Sequence, residues 1–110
     1  MTYVNAKLPN HTIVVTKDCD RTLTVRRRHP TTGDAVNWGA AVYILVDVDR
    51  NNPTRVEGTV DNSLATIRME SSLLNLVRNG TTWRVVMSQT GAPSLETAVM
   101  VGAFERNDGK

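Results

Sequence analysis

Few residues of this sequence have side chains that could act as nucleophiles or as general acids and bases. The chain contains two histidines and one cysteine, at His11, His29 and Cys19. His29 follows three arginines, whose charge disfavours the protonated imidazole that a general acid needs. Cys19 lies between Asp18 and Asp20, where negative charge disfavours the reactive thiolate. The sequence also lacks a Gly-x-Ser-x-Gly motif and a glycine-rich phosphate loop, so we predict that the protein is not an enzyme.

Two pairs of aspartates are the candidates for metal ligands, namely Asp18 with Asp20 and Asp47 with Asp49. Calcium takes about six or more oxygen ligands, and neither pair supplies that number. A zinc site needs more cysteine and histidine than this chain contains. We therefore expect both pairs to be solvated loop carboxylates, and we predict no metal, no cofactor and no small-molecule substrate.

A run of three arginines, Arg26, Arg27 and Arg28, is the sharpest charged feature. A guanidinium group binds carboxylates and phosphates through two parallel hydrogen bonds, so these residues are candidate contacts to an acidic partner. The alternative is a solvated loop that keeps the protein soluble. Nucleic acid is the least favoured partner, because the net charge is only +2 and the two Trp, two Tyr and one Phe are too few for a stacking platform.

The elements that position these residues are predicted to be β-strands. The run Ala40–Asp49 is apolar, rich in β-branched residues and bounded by turn-forming residues, which indicates a strand buried on nearly both faces. We interpret it as the central strand of one domain, because 110 residues allow a single modest core. Trp38, just before this strand, and Trp83 are expected in the core. The other predicted strands cover residues 12–16, 21–26, 54–60, 64–69, 82–88 and 95–106.

One segment departs from the strand pattern. Ser71 or Ser72 could cap a helix, apolar residues follow at helical spacing, and Asn79-Gly80 supplies a stop, so we predict one short helix over residues 71–78. Short strands separated by turns every eight to twelve residues or so are typical of sandwiches. The predicted fold class is therefore all-β, a two-sheet, immunoglobulin-like antiparallel sandwich of about seven strands.

Three segments are predicted along the chain. Residues 1–11 form an extended N-terminal arm, residues 12–106 the sandwich and residues 107–110 a polar tail. Tyr3 and Leu8 in the arm are further candidate contacts to a partner, either on this subunit or on a neighbouring one. No apolar run reaches the roughly 20 residues of a membrane span, and the start of the chain does not resemble a secretory signal. The single cysteine is compatible with synthesis in the cytoplasm.

Several segments together resemble a known family. Residues 12–20 and 22–25 are similar to the opening of small bacteriophage tail β-sandwich domains, in which an acidic turn separates two threonine-rich strands. Gly33–Ala40 resembles the linker before their central strand, and Gly80–Ser88 with Val101–Gly109 resembles their ending. The chain looks most like minor tail proteins of actinobacterial siphophages, and more distantly like the N-terminal domain of upper baseplate proteins of lactococcal phages.

This resemblance implies a structural protein of the virion, synthesised in the host cytoplasm, that self-associates and docks on other virion proteins. It implies no catalytic residues. We expect a tail or tail-tip adaptor, with a capsid decoration protein as the alternative within the virion. The alternative from a different class is a module that binds host-surface carbohydrate through an exposed aromatic patch.

Overall fold

The computed structural model describes residues 10–29, 31–49, 51–90 and 95–107. In this part of the chain, eight strands and one short helix form two packed sheets, which confirms the predicted all-β sandwich. The elements in chain order are β1 (Asn10–Val15), β2 (Arg21–Arg26), β3 (Ala41–Val46), β4 (Thr54–Glu57), β5 (Thr59–Asp61), β6 (Leu64–Met69), α1 (Ser71–Leu74), β7 (Thr82–Gln89) and β8 (Leu95–Arg106).

The strand order is that of an immunoglobulin-like sandwich. One sheet has the order β1-β8-β7-β3-β4 and the other has the order β2-β6-β5. These correspond to the G-F-C-C′ and B-E-D arrangements of immunoglobulin domains, with β1 added beside the last strand. The strand pairs are antiparallel except that β1 pairs with β8 in parallel. The sheet of five strands is therefore mixed rather than purely antiparallel, a feature that side-chain alternation along single strands cannot reveal.

The first strand begins earlier than predicted and does not pair with the second. Asn10 and His11 already belong to β1, where they lie opposite Val101 and Gly102 of β8. Residues 10 and 11 therefore belong to the sandwich and not to the predicted arm, while residues 1–9 lie outside the described residues, as do residues 108–110 of the predicted tail. The turn at residues 17–20 carries the chain from one sheet to the other, with Asp18 in the left-handed region at a φ of 63°.

The apolar run that begins at Ala40 forms β3, whose inner face is buried and whose outer face is buried at Tyr43, half-buried at Leu45 and exposed at Ala41. Val42, Ile44 and Val46 point into the sandwich and are fully buried, while Tyr43 on the opposite face is 5% exposed. However, β7 occupies the middle of the five-stranded sheet, and β3 lies between β7 and β4. The prediction of β3 as the central strand is therefore wrong in position, because a buried run does not show which neighbours it has.

The strand predicted over residues 54–60 is two strands that belong to different sheets. β4 pairs with β3 before Gly58, and β5 pairs with β6 after it. At the crossing, the backbone N–H of Gly58 donates to the carbonyl oxygen of Val42 at 2.8 Å. A Cβ on Gly58 would lie 2.8 Å from Cγ1 of Ile67 and 2.9 Å from the same Val42 oxygen. Glycine is required there because the backbone passes in close contact with both sheets.

Gly102 in β8 does not mark the irregularity in that strand. The register between β7 and β8 shifts so that Val99 is an extra residue, which is a β-bulge. Gly102 instead lies opposite Trp83, and a Cβ there would be 2.4 Å from Cζ2 of the indole and 1.9 Å from the carbonyl oxygen of His11. The absence of a side chain at Gly102 makes room for the buried tryptophan.

The helix is shorter than predicted and is not capped by a serine. α1 is a single turn, and its N-cap residue Glu70 makes no side-chain capping bond. Oδ1 of Asp20, in the β1–β2 turn, instead accepts a hydrogen bond from the backbone N–H of Ser71 at 2.7 Å. The chain turns away after Leu74, so residues 75–78 do not continue the helix.

The core between the sheets is built from apolar side chains of both sheets. Trp83 and Phe104 are fully buried, and their ring centroids are 6.5 Å apart at an interplanar angle of 57°. Trp38 is 3% exposed near the β5–β6 turn, where its backbone N–H donates to the carbonyl oxygen of Asn62. Both tryptophans are therefore in the core, as the sequence predicts.

Candidate functional site

The three consecutive arginines have three different environments. Arg26 is exposed on the outer face of β2. Arg27 is half-buried, and its Nη1 donates to the carbonyl oxygens of Asn37 at 3.1 Å and Trp38 at 3.0 Å. The Arg27 guanidinium also lies 5.9 Å from the centroid of the Trp38 ring. Arg27 therefore stabilises the loop before β3, and it is less available to a partner than Arg26.

Arg28 belongs to a small hairpin rather than to a solvated loop. It forms a β-bridge with Ala35, and its Nη1 donates to the carbonyl oxygen of Gly33 at 3.1 Å. Nδ1 of His29 accepts hydrogen bonds from the backbone N–H groups of Thr31 and Thr32 at 3.1 and 3.3 Å. These bonds give His29 a structural role. Of the predicted contact residues, Arg26 and Arg28 are both exposed, and the side chain of Arg26 forms no hydrogen bond in the described part of the chain, while Tyr3 and Leu8 lie outside the described residues.

Asp20 is an exposed loop carboxylate, as predicted, but it also links the β1–β2 turn to the helix. Its Oδ2 lies 2.9 Å from Nη2 of Arg68, and its Oδ1 accepts from Ser71. The hydrogen bond from Arg68, supported by the one from the Ser71 backbone, lowers the pKa of Asp20 below its ordinary value. This carboxylate is therefore ionised at neutral pH and committed to structural partners.

The other aspartates of the two pairs also have partners within the chain. Oδ1 of Asp18 accepts from Nδ2 of Asn75 at 2.9 Å. Asp47 accepts from Oγ1 of Thr82 at 2.6 Å and from Nη1 of Arg84 at 3.3 Å, so it is not the solvated loop residue that we expected. Among the described residues, no three His, Cys, Asp or Glu side chains are grouped to hold a metal ion.

A polar cluster lies on the outer face of the five-stranded sheet. The hydroxyl of Tyr43 donates to Oε2 of Glu96 at 2.6 Å, and the hydroxyl of Ser88 donates to Oε1 of Glu96 at 2.7 Å. The guanidinium of Arg55 lies 3.7 Å from the Tyr43 ring centroid and pairs with Glu57. The hydrogen bond to Glu96, together with burial, raises the pKa of Tyr43. The phenol therefore stays protonated at neutral pH, which suits a structural role and not that of a nucleophile.

No local signal in the sequence identifies this cluster. Ser88 lies opposite Ala41 on one side and Glu96 on the other, so the register of three strands brings Tyr43 and Glu96 together. The residues are 53 positions apart in the chain. Alternation correctly indicates that Tyr43 and Val42 lie on different faces, but it does not indicate which strand lies alongside.

A second feature that the sequence does not predict is a cleft of about 660 Å³ beside the helix. We call it the basic cleft. It is lined by Lys17, Asn75, Leu76, Val77, Arg78, Asn79 and Arg106. Three of these residues are cationic and none is acidic. Lys17 comes from the β1–β2 turn, Arg106 from the end of β8, and the others follow α1, so distant parts of the chain build the cleft.

The aromatic side chains do not form an exposed platform in the described part of the chain. Trp38, Tyr43, Trp83 and Phe104 are all at most 5% exposed. The indole N–H groups of both tryptophans are buried and have no hydrogen-bond partner among the described residues. A sugar ring therefore finds no aromatic face on this surface. In the same residues, no helix has the length and apolar character needed to cross a membrane.

Comparison with known proteins identifies one family. A family model described as an LtfC-like, beta-sandwich domain matches residues 7–107, which is nearly the whole chain. No curated protein matches the sequence. The match extends over both sheets, the helix and all the residues that line the basic cleft.

Proposed function

Because the chain belongs to the LtfC-like β-sandwich domain family, we propose that it is a non-enzymatic structural protein of a bacteriophage virion. In this proposal it acts as an adaptor or minor tail protein in the tail or tail tip. The family match over residues 7–107 is the observation that carries the proposal, since it supports a tail-associated role. Asp20, Asp47 and Tyr43 all have hydrogen-bond partners within the chain, which is compatible with a protein that assembles rather than catalyses.

The proposed mechanism is assembly through sheet edges and exposed charges. β2 is an edge strand of six residues, and the side chains of Thr22, Thr24 and Arg26 are exposed along it. An edge strand presents backbone N–H and C=O groups that can pair with a strand of another chain. Self-association through such an edge, repeated by symmetry, would build a ring or a fibre of identical subunits.

The test is the location of the protein in purified particles. We expect mass spectrometry to detect it in virions and, after heads and tails are separated, in the tail fraction. Recovery with heads alone would overturn the tail assignment in favour of a capsid decoration protein. Absence from both fractions would overturn the proposal of a virion protein.

Self-association is tested separately with the purified protein. We expect light scattering after size-exclusion chromatography to show a mass that rises with concentration. Proline has no backbone N–H, so Thr22→Pro and Thr24→Pro, made separately, each remove one hydrogen-bond donor of β2. Each variant should reduce that mass. A protein that stays monomeric at high concentration would overturn assembly of identical subunits.

The carbohydrate-binding alternative receives no support from the described surface, because the aromatic rings that could stack on a sugar are buried. A glycan array tests it directly. We expect no binding, and we expect the fluorescence of Trp38 and Trp83 to be shielded from a soluble quencher. Specific glycan binding accompanied by quenching would favour that alternative.

A further inference from the structure

We propose that the basic cleft binds an acidic peptide segment of a partner protein. The proposal deepens the proposed function, on which it rests for the identity of the partner as another virion protein. The volume of the basic cleft, about 660 Å³, falls within the range of about 300–1,000 Å³ that is usual for ligand sites. Three features carry the proposal: the charges of the cleft, an exposed apolar side chain and the rigidity of its walls.

Two of the cationic side chains that line the cleft, those of Lys17 and Arg78, have no partner in the described part of the chain. Both side chains are exposed, and neither forms a hydrogen bond or ion pair there. Arg106 is the third cationic residue that lines the cleft. Asp18, which follows Lys17 in the chain, accepts a hydrogen bond from Asn75 and forms no ion pair with Lys17. A negatively charged occupant therefore gains favourable electrostatic energy, whereas a cationic one is repelled.

The exposed side chain of Leu76 favours a peptide over a simple anion as the occupant of the cleft. Its side chain is 64% exposed, although helical spacing would place it with Leu73 and Val77 on an apolar face. Because α1 ends at Leu74, Leu76 turns outward and forms part of the cleft wall. Phosphate or an oligonucleotide backbone would leave this apolar surface exposed. A peptide that carries both carboxylates and an apolar side chain contacts the charges and covers Leu76.

The walls of the cleft are held by hydrogen bonds within the protein. Nη1 of Arg106 donates to the carbonyl oxygens of Leu74 and Val77, both at 2.8 Å. The backbone N–H of Arg106 donates to Oδ1 of Asn79 at 3.0 Å. These bonds connect the end of β8 to the segment after α1. A preformed site binds more tightly because less conformational entropy is lost on binding.

The experiment measures binding of a short fluorescein-labelled peptide, in which Asp and Glu alternate with Leu, to the purified full chain. We expect a Kd below about 1 mM for this peptide. Lys17→Glu and Arg78→Glu, made singly and together, should weaken binding, by about tenfold or more for the double variant. Both residues are exposed, so the variants should keep the circular dichroism spectrum of the native protein.

The matched control is Arg26→Glu, which makes the same charge change outside the cleft. It should leave the Kd within about twofold, a difference well below the 1.4 kcal/mol of a tenfold change. A peptide in which Lys replaces the acidic residues should not bind. Equal weakening by the Arg26 and cleft variants would overturn the proposal, because binding would then follow net charge alone.

Two competitors test the choice of occupant. We expect inorganic phosphate to reduce peptide binding no more than sodium chloride of equal ionic strength. Stronger competition by phosphate, or tighter binding of a single-stranded oligonucleotide than of the peptide, would overturn the peptide as occupant. If the protein enters virions but does not bind the peptide, only the cleft proposal fails. If it binds the peptide but is absent from virions, the proposed function fails and the cleft remains a peptide site.

Discussion

At the scale of single residues, a side chain's surroundings determine its role more than its chemical type does. Arg26, Arg27 and Arg28 are identical in type and adjacent in sequence, yet only Arg27 holds two backbone carbonyls and covers an indole ring. The alternation of a strand accounts for part of this difference, because it directs consecutive side chains to opposite faces. Arg26 thus remains the candidate for contact with a partner.

Replacing Arg27 should therefore affect stability more than replacing Arg26. We expect Arg27→Ser to lower the free energy of unfolding by about 1–2 kcal/mol, because two hydrogen bonds to carbonyls near Trp38 are lost. Arg26→Ser should change it by no more than about 0.5 kcal/mol. Urea denaturation followed by tryptophan fluorescence measures both values. Equal values for the two variants would contradict the structural role of Arg27.

Tyr43 should make the stability of the protein fall at alkaline pH. Its pKa is raised in the folded state, chiefly by the hydrogen bond to Glu96. The resulting stabilisation is complete below the unfolded tyrosine pKa of about 10 and is lost as the pH rises from there through the folded pKa. We expect Tyr43→Phe to cost about 1 kcal/mol at neutral pH.

The same variant should lose less stability than the native protein as the pH is raised above about 10. Chemical denaturation at several pH values measures this difference, and Tyr3 is common to both proteins. Parallel pH profiles for the two proteins would show that the ionisation of Tyr43 is not linked to folding.

At the scale of elements, the helix and the segment after it are held by side chains from distant parts of the chain. The β1–β2 turn supplies Asp20 to the N-terminus of α1, and β8 supplies Arg106 to the carbonyls of Leu74 and Val77. A helix of a single turn is not stable by itself, because its nucleation cost is not repaid over so few residues. The helix and the turn are therefore expected to form and unfold together.

Asp20→Asn tests this coupling. The variant removes the negative charge that pairs with Arg68, so we expect a lower Tm at neutral pH. Because the pKa of Asp20 is lowered in the folded state, its stabilisation is present above the unfolded pKa of about 3.9 and is lost as the pH falls through the folded pKa.

The difference in Tm between the native protein and Asp20→Asn should therefore disappear in acid. Asp61→Asn is the matched control, since Asp61 is exposed on β5 and its side chain has no hydrogen bond in the described part of the chain. Differential scanning calorimetry over this pH range measures both variants. A larger loss for the Asp61 variant would contradict the role assigned to Asp20.

At the scale of the whole molecule, the first and last strands of the described chain pair with each other. β1 pairs with β8, and Gly58 passes the chain from one sheet to the other. Trp38 lies near the β5–β6 turn, whereas Trp83 lies at the start of β7 after the helix. The two tryptophans therefore report on different parts of one core.

We expect these two parts to unfold together. In Trp38→Phe and Trp83→Phe, each remaining tryptophan should give the same denaturation midpoint as circular dichroism measured on the same variant, as a two-state transition requires. The comparison is made within each variant, because the substitutions themselves change stability. Midpoints that differ between the two methods would show that the sheets unfold separately.

Periodicity and turn chemistry predicted much of the fold. The bounds of β2 were predicted at residues 21–26, as observed, because the strand has one solvent-exposed face and its apolar and polar residues alternate. The prediction of the 54–60 segment failed since local patterns do not distinguish one continuous strand from two joined at Gly58. The helix prediction failed in length because both of its ends depend on distant partners.

The sequence by itself determined the all-β class, most strand positions and the burial of both tryptophans, because these follow from the period of apolar side chains and from turn residues. It also identified Arg26, Arg27 and Arg28 as a basic run, but it could not separate their roles. The tertiary structure alone decided which strands are neighbours, how Tyr43 meets Glu96 and how Lys17, Arg78 and Arg106 come to line one cleft. The physical reason is that these contacts depend on the register and packing of segments far apart in the chain, and no local pattern encodes them.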